Sequence, residues 1–183
     1  MDSPAATERR SRLRRYQVQL LERMQAAKSG GAVGGRELAV LIGGRACLLD
    51  LTQISEIVPS QAAAPAPAPV PLTRDWYLGL VNIRGHLTGV IDLARYQRLD
   101  AGAGTPAERR LITFAPGLGF NCALQAERVL GLRKQDEMAP APPADDAPAW
   151  SSQRFLDGDG QLWTRIDLAL LVREPRFSQV GLI

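Results

Sequence analysis

From Arg36 onward, short apolar or alternating runs are separated by turn residues: ELAVLI, ACLLDLTQISEIV, YLGLVNI, HLTGVIDL, RLITFA, FNCALQAERVLGL, SQRFL and QLWTRIDLALL. Runs of this kind, bounded by Gly, Pro, Asn and Asp, predict an all-β domain. Gly43-Gly44 and Asp157-Gly158-Asp159-Gly160 fall where neighbouring runs must reverse, and both predict hairpin turns. The spaced aspartates of the second resemble a calcium loop, but the sixth position is Leu162 where that loop requires glycine, so the hairpin turn is preferred. Ahead of these runs, Leu13, Tyr16 or Gln17, Leu20, Met24 and Ala27 recur at three- and four-residue steps, which predicts a helix over residues 8–28. Its narrow apolar stripe suits either packing on its own domain or docking on a partner. Gly30, Gly31, Gly34 and Gly35 follow as a flexible connector, since no Gly-Lys-Ser/Thr makes them a phosphate loop. Residues 1–35 are thus read as a helical arm and its connector.

Two Pro/Ala-rich stretches, PSQAAAPAPAPVP at 59–71 and APAPPADDAPA at 139–149, cannot be central strands and are expected as exposed connections. Each ends just before a tryptophan. Sliding the chain on itself by 75 residues lays Cys47 on Cys122, Ile54 on Val129, Gly85 on Gly160 and Leu87 on Leu162. The same shift superposes Ile91-Asp92-Leu93 on Ile166-Asp167-Leu168 and brings Trp76 within one residue of Trp150. The chain is therefore read as a tandem duplication of a β unit, with repeats at about 36–95 and about 111–170. Five short strands per unit are expected to close as small SH3/OB-like barrels. Asp92 and Asp167, each at a strand end, are expected to cap the helical turn that follows rather than to act as a catalytic pair.

The formal net charge is +3, and the pI of about 9.2 raises nucleic acid as a partner. Seven basic and three acidic residues up to Gly30 put +4 on the arm and leave −1 on the rest, so the globular part lacks an electrostatic footprint for a phosphate backbone. A small-barrel nucleic-acid binder with a basic arm remains the alternative reading. Against it, only 5% of residues are aromatic, too few for a stacking platform. No apolar run approaches the roughly 20 residues of a membrane helix, and the amino terminus lacks a signal-peptide core, so a cytoplasmic protein without membrane insertion is expected. Cys47 and Cys122 are expected as buried free thiols. The single histidine, His86, and the absence of metal-ligand spacing or a nucleophile motif argue against an enzyme, a metal site or a cofactor.

The stretch "WYLGLVNIRGHLTGVIDL" resembles the signature of the CheW-like family, the adaptors of bacterial chemosensory arrays. "GGRACLLDLTQISEIV", "CALQAERVLGLRK" and "GQLWTRIDLALLV" are similar to the family's first hairpin, second-half strand, and closing strand and helix. Together they place a CheW-like domain at 36–172, followed by a tail at 173–183. The arginine-bearing arm and the tail "VREPRFSQVGLI" look more like the PilI-type branch, which serves twitching motility by type IV pili. The resemblance implies two five-stranded barrels that can exchange strands, no catalysis, and two partners: a chemoreceptor's cytoplasmic tip and the regulatory domain of a CheA-type histidine kinase. It makes Glu56, Asn82, Arg84 and Gly85 receptor-binding residues and places Gly79 near the kinase face. A bland reading of Arg84 stands beside this one, as a residue that merely closes its own turn. Gly89 stands where the family usually has proline, and it is expected to loosen its strand.

Overall fold

The computed structural model describes residues 35–60, 66–100, 102 and 104–183. The helix expected over 8–28 and most of the glycine connector lie outside them. The first repeat supplies β1 (Arg36–Ile42), β2 (Arg45–Asp50), β3 (Ile54–Pro59), β4 (Tyr77–Ile83), β5 (His86–Ile91) and the one-turn helix α1 (Leu93–Tyr96). The second supplies β6 (Arg110–Phe114), β7 (Cys122–Ala126), β8 (Arg128–Lys134), β9 (Ala139–Ala141), β10 (Arg154–Leu156), β11 (Leu162–Ile166) and α2 (Leu168–Leu171). A further single turn, α3 (Pro175–Ser178), follows.

The strands form two sheets, in the orders β8-β1-β2-β11-β10-β9 and β3-β6-β7-β5-β4. Each sheet takes its first hairpin from one repeat and the remaining strands from the other, so the repeats have exchanged strands. The exchange is symmetric. β5 runs parallel to β7 with Gly89 beside Cys122, and β11 runs parallel to β2 with Thr164 beside Cys47. Both partners of one seam are thus 75 positions from those of the other.

Closed barrels were the expectation, and the described strands instead form open sheets of five and six strands. The Pro/Ala-rich stretches supply the reason, because they occupy edges that a closing strand would need. Ala68 and Leu80 exchange backbone hydrogen bonds of 2.9 Å on the outer edge of β4, and β9 pairs with the outer edge of β10. These stretches are therefore partly paired, not wholly exposed connections. Proline is tolerated there because an edge strand needs its donors on one side only.

The expected hairpins and caps are present. Gly43 and Gly44 have φ of 57° and 70°, the left-handed pair that joins β1 to β2. The Asp92 carboxylate accepts from the Arg95 N–H at 3.0 Å, and that of Asp167 accepts from the Leu170 N–H at 3.1 Å, each satisfying an orphan donor of its helical turn. The backbone N–H of each aspartate donates to the carbonyl of Trp76 or Trp150, in both cases at 2.8 Å. Cys47 and Cys122 are buried free thiols, and burial pushes both above the ordinary thiol range.

Each sheet has its own apolar cluster: Val58, Val81, Ile83, Val90, Leu111 and Ala123 on one, and Ala39, Leu48, Met138, Phe155 and Trp163 on the other. Strand alternation turns Leu38, Val40, Leu49 and Ile166 to the opposite face, and these too are buried. A group of rings from both repeats is centred on Phe177 of α3, which is fully buried. It stacks on Trp76 at 5.5 Å and meets Tyr96 at 5.4 Å, Phe120 at 5.2 Å and Phe114 at 6.5 Å between centroids.

A buried ionic group also joins the repeats. Arg165 of β11 donates from Nε to Glu37 Oε1 at 2.8 Å and from Nη2 to Asp50 Oδ2 at 2.9 Å. Glu37 is 1% exposed, its Oε2 has no hydrogen-bond partner, and burial raises its carboxyl above the usual range against the pull of Arg165.

Candidate functional site

The β4–β5 hairpin turns on two residues, Arg84 with φ 50° and Gly85 with φ 88°. Both are left-handed, as a two-residue turn between twisted strands requires. Asn82 Oδ1 accepts from the Gly85 N–H at 2.7 Å, so the amide side chain braces the turn and the guanidinium is not needed for it. In the second repeat Asp157 stands at the equivalent of Asn82. It accepts from the Asp159 and Gln161 N–H groups at 3.0 and 2.9 Å and from Trp163 Nε1 at 2.8 Å. That turn has Asp159 where the first has Arg84. The second turn is longer, with 157–161 between the paired Leu156 and Leu162 and only Gly160 left-handed, so the equivalent position carries the opposite charge on a different backbone.

The Arg84 side chain is 71% exposed, with Nη2 at 2.8 Å from Oε1 of Glu56, which is 20% exposed. That oxygen accepts no directed hydrogen bond, so the contact is an ion pair. Glu56 is placed by an irregularity in the β3–β6 pairing, where register shifts between Ile54 and Ile57. Thr113 Oγ1 fills the irregularity, accepting from the Glu56 N–H at 2.9 Å. Such a bulge re-aims a side chain, here Glu56 toward Arg84.

The pair borders a groove of about 650 Å³. Glu56, Arg84 and His86 line it from the first repeat; Phe114, Phe120 and Asn121 line it from the second. Asn121 ties the walls together, donating from Nδ2 to the Leu87 carbonyl at 2.6 Å and accepting at its own carbonyl from the Gly89 N–H at 3.2 Å. Gly89 is thus a hydrogen-bonded member of β5. A Cβ there would lie 2.7 Å from the Tyr77 hydroxyl oxygen, so the tyrosine occupies the room a larger residue would use.

Four of the five expected site residues come together: Glu56 and Arg84 at the groove, with Asn82 and Gly85 forming the turn that presents Arg84. Gly79 does not line the groove. It is buried in β4 with φ 129°, and a Cβ would lie 2.1 Å from the Ala68 carbonyl oxygen. Gly79→Ala is therefore expected to lose about 1–3 kcal/mol through backbone strain and displacement of the paired stretch. Denaturant melts of this variant, compared with Ala68→Gly as a control on the same edge, check that expectation. The sequence reading missed Thr113, Phe114, Phe120 and Asn121, because only strand exchange brings the second repeat beside Arg84.

Residues 37–176 match the family model described as the CheW-like domain. The chain belongs to the CheW-like domain family. Among solved structures, this CheW-like chain is similar to the scaffolding protein TtCheW from Thermoanaerobacter tengcongensis. The identity is 18% and the TM-score 0.59, with 73% of this chain and 89% of that chain covered. At that identity the likeness shows the shared fold. No curated protein matches the chain. The family match ends one residue before Phe177, although that ring lies at the centre of the aromatic group. No helix among the described residues is long and apolar enough to cross a membrane, and none of their His, Cys, Asp and Glu side chains form a group of three or more suited to a metal ion.

Proposed function

We propose that this CheW-like chain is a non-catalytic cytoplasmic adaptor that couples a chemoreceptor tip to a CheA-type histidine kinase in the chemosensory pathway of type IV pilus twitching motility. The family supports the adaptor role. The likeness of the arm and tail to the PilI-type branch supports the pilus assignment. The Arg84–Glu56 groove takes the receptor's helical hairpin, with Arg84 donating to carboxylates or helix-end carbonyls. The face around Gly79, formed by β4 together with the Ala68 stretch that pairs with its edge, serves the kinase domain.

The observation that carries the groove assignment is Arg84 itself. A non-glycine residue at φ 50° is uncommon, and glycine or asparagine would hold this turn at lower cost. Asn82 already braces the hairpin, so an exposed guanidinium at a strained position is accounted for by what it recognises.

Two variants test this. Arg84→Ala keeps the left-handed penalty and loses a surface ion pair, so stability should change by no more than about 1 kcal/mol. Arg84→Asn should raise stability by about 0.5–1 kcal/mol, because asparagine suits the turn. Both should weaken receptor-tip binding by about 1–3 kcal/mol while kinase-domain affinity is unchanged. A variant that binds the receptor tip as the wild type does would remove Arg84 from the interface. Loss of both partners together with lowered stability would return it to its turn.

A further inference from the structure

A second groove, of about 770 Å³, lies over the other parallel seam, where β2 runs beside β11. One wall of it duplicates the first. The 75-residue shift carries Gly44, Arg45 and Ala46 onto Gly119, Phe120 and Asn121, and Gln161 onto His86. All eight of these residues line their respective grooves. One plan has thus built a wall of each cleft, and their chemistry differs. Where the first groove has the ring of Phe120, the second has the guanidinium of Arg45, joined by Arg154 from β10 and Arg176 from α3.

None of these three arginines forms an ion pair among the described residues. Arg176 is held in place, donating from Nη2 to the Tyr96 carbonyl at 2.8 Å with its guanidinium 4.5 Å from the Tyr96 ring centroid. Its remaining N–H groups are left for a ligand. Half-buried Leu162 supplies apolar surface, and Asp145 and Asp146 line the same cleft. Those carboxylates oppose the closely spaced charges of a nucleic-acid backbone. They leave room for carboxylates spaced along a peptide, with apolar side chains between them.

We propose that this groove docks an acidic amphipathic peptide segment of a protein partner, its carboxylates taken by Arg45, Arg154 and Arg176. The proposal stands on the second groove alone and does not depend on what fills the first. Arginine–carboxylate contacts of this kind combine charge with directed hydrogen bonds, and they discriminate against neutral isosteres.

The test uses the full chain and three fluorescent probes: an amphipathic peptide with spaced glutamates, the same peptide with glutamine in their place, and a single-stranded oligonucleotide. Saturable binding of the glutamate peptide is expected, with the glutamine version weaker by roughly tenfold or more. Arg45→Ala and Arg154→Ala should each weaken the glutamate peptide by roughly 5- to 20-fold, whereas Arg74→Ala, which removes an exposed charge elsewhere, should not. Asp146→Asn, at a position with φ 56° that asparagine accepts, should strengthen it by roughly 2- to 5-fold, a gain that misfolding cannot mimic. Amide shifts on titration should map to Leu162 and Thr164 rather than to Thr113 and Phe120. Equal binding of the glutamine peptide, tighter binding of the oligonucleotide, shifts confined to the first groove, or no saturation at all would each overturn the proposal.

Discussion

Arg165→Met should lower stability by about 3–5 kcal/mol at neutral pH, since it strands a buried carboxylate. Arg165 is the cation between Glu37 and Asp50, and Glu37 is 1% exposed. Methionine fills similar volume, so the loss reports the unpaired charge more than a cavity. The pH dependence gives the cause away. Burial already raises Glu37 above its ordinary value with Arg165 present, and removing the cation raises it further. A carboxyl raised in the folded state contributes stability that is fully present below its unfolded pKa and is lost as pH rises through the folded one. The gap between wild type and Arg165→Met should therefore be widest near pH 7 and narrow as pH falls toward the carboxylate range. Adding Glu37→Gln to Arg165→Met should recover much of the loss at pH 7. Urea midpoints across pH on these chains decide it, and a gap that ignores pH would show that lost packing is the cause.

Phe177→Ala should cost about 3–5 kcal/mol, the usual range for a buried aromatic truncated to alanine. The ring touches four other aromatic side chains drawn from both repeats, and such pairs add about 0.5–1.5 kcal/mol each beyond burial. For a chain of this size the melting temperature should fall by roughly 6 to 20 °C. Ending the chain before Pro175 should do at least as much, because it removes the ring together with the tail that pairs Gly181 with Thr73. Phe114 and Phe120, which Phe177 backs, line the Arg84 groove, so receptor-tip binding should weaken as well. A truncated chain melting within a few degrees of the full one would show that the tail is dispensable.

The local pattern of this chain was open to reading from its residues. Period-two runs, paired glycines, the Asn82 turn and the capping aspartates each depend on a few consecutive residues, and the 75-residue repeat marks equivalent positions. Strand exchange was not legible in that pattern. An alternating strand has the same sequence whichever copy lies beside it, so the duplication is equally compatible with separate and interlocked halves. The walls of the Arg84 groove were hidden for the same reason, since Phe120 and Asn121 reach it only through the β5–β7 seam. Glu37 reads as a polar residue at the start of a strand, and only the depth at which β1 lies, between β8 and β2, makes it a buried charge. The short strand β9 escaped notice because its middle residue is Pro140, which an edge accepts and a central strand does not.

Interlocking also sets the order in which a growing chain can fold. β2 emerges early with β1, but the strand that covers its other side is β11, whose Thr164 lies 117 positions beyond the Cys47 it pairs with. β5 waits less long for β7, with Gly89 and Cys122 separated by 33 positions. Throughout synthesis of the second repeat, the first therefore carries strand edges whose partners do not yet exist. Contacts of such sequence separation form slowly, and unpaired edges invite wrong pairings in the meantime. A bound chaperone should favour the native chain during this interval, slower translation should lengthen the exposure, and neither repeat expressed by itself has a complete sheet to fold into.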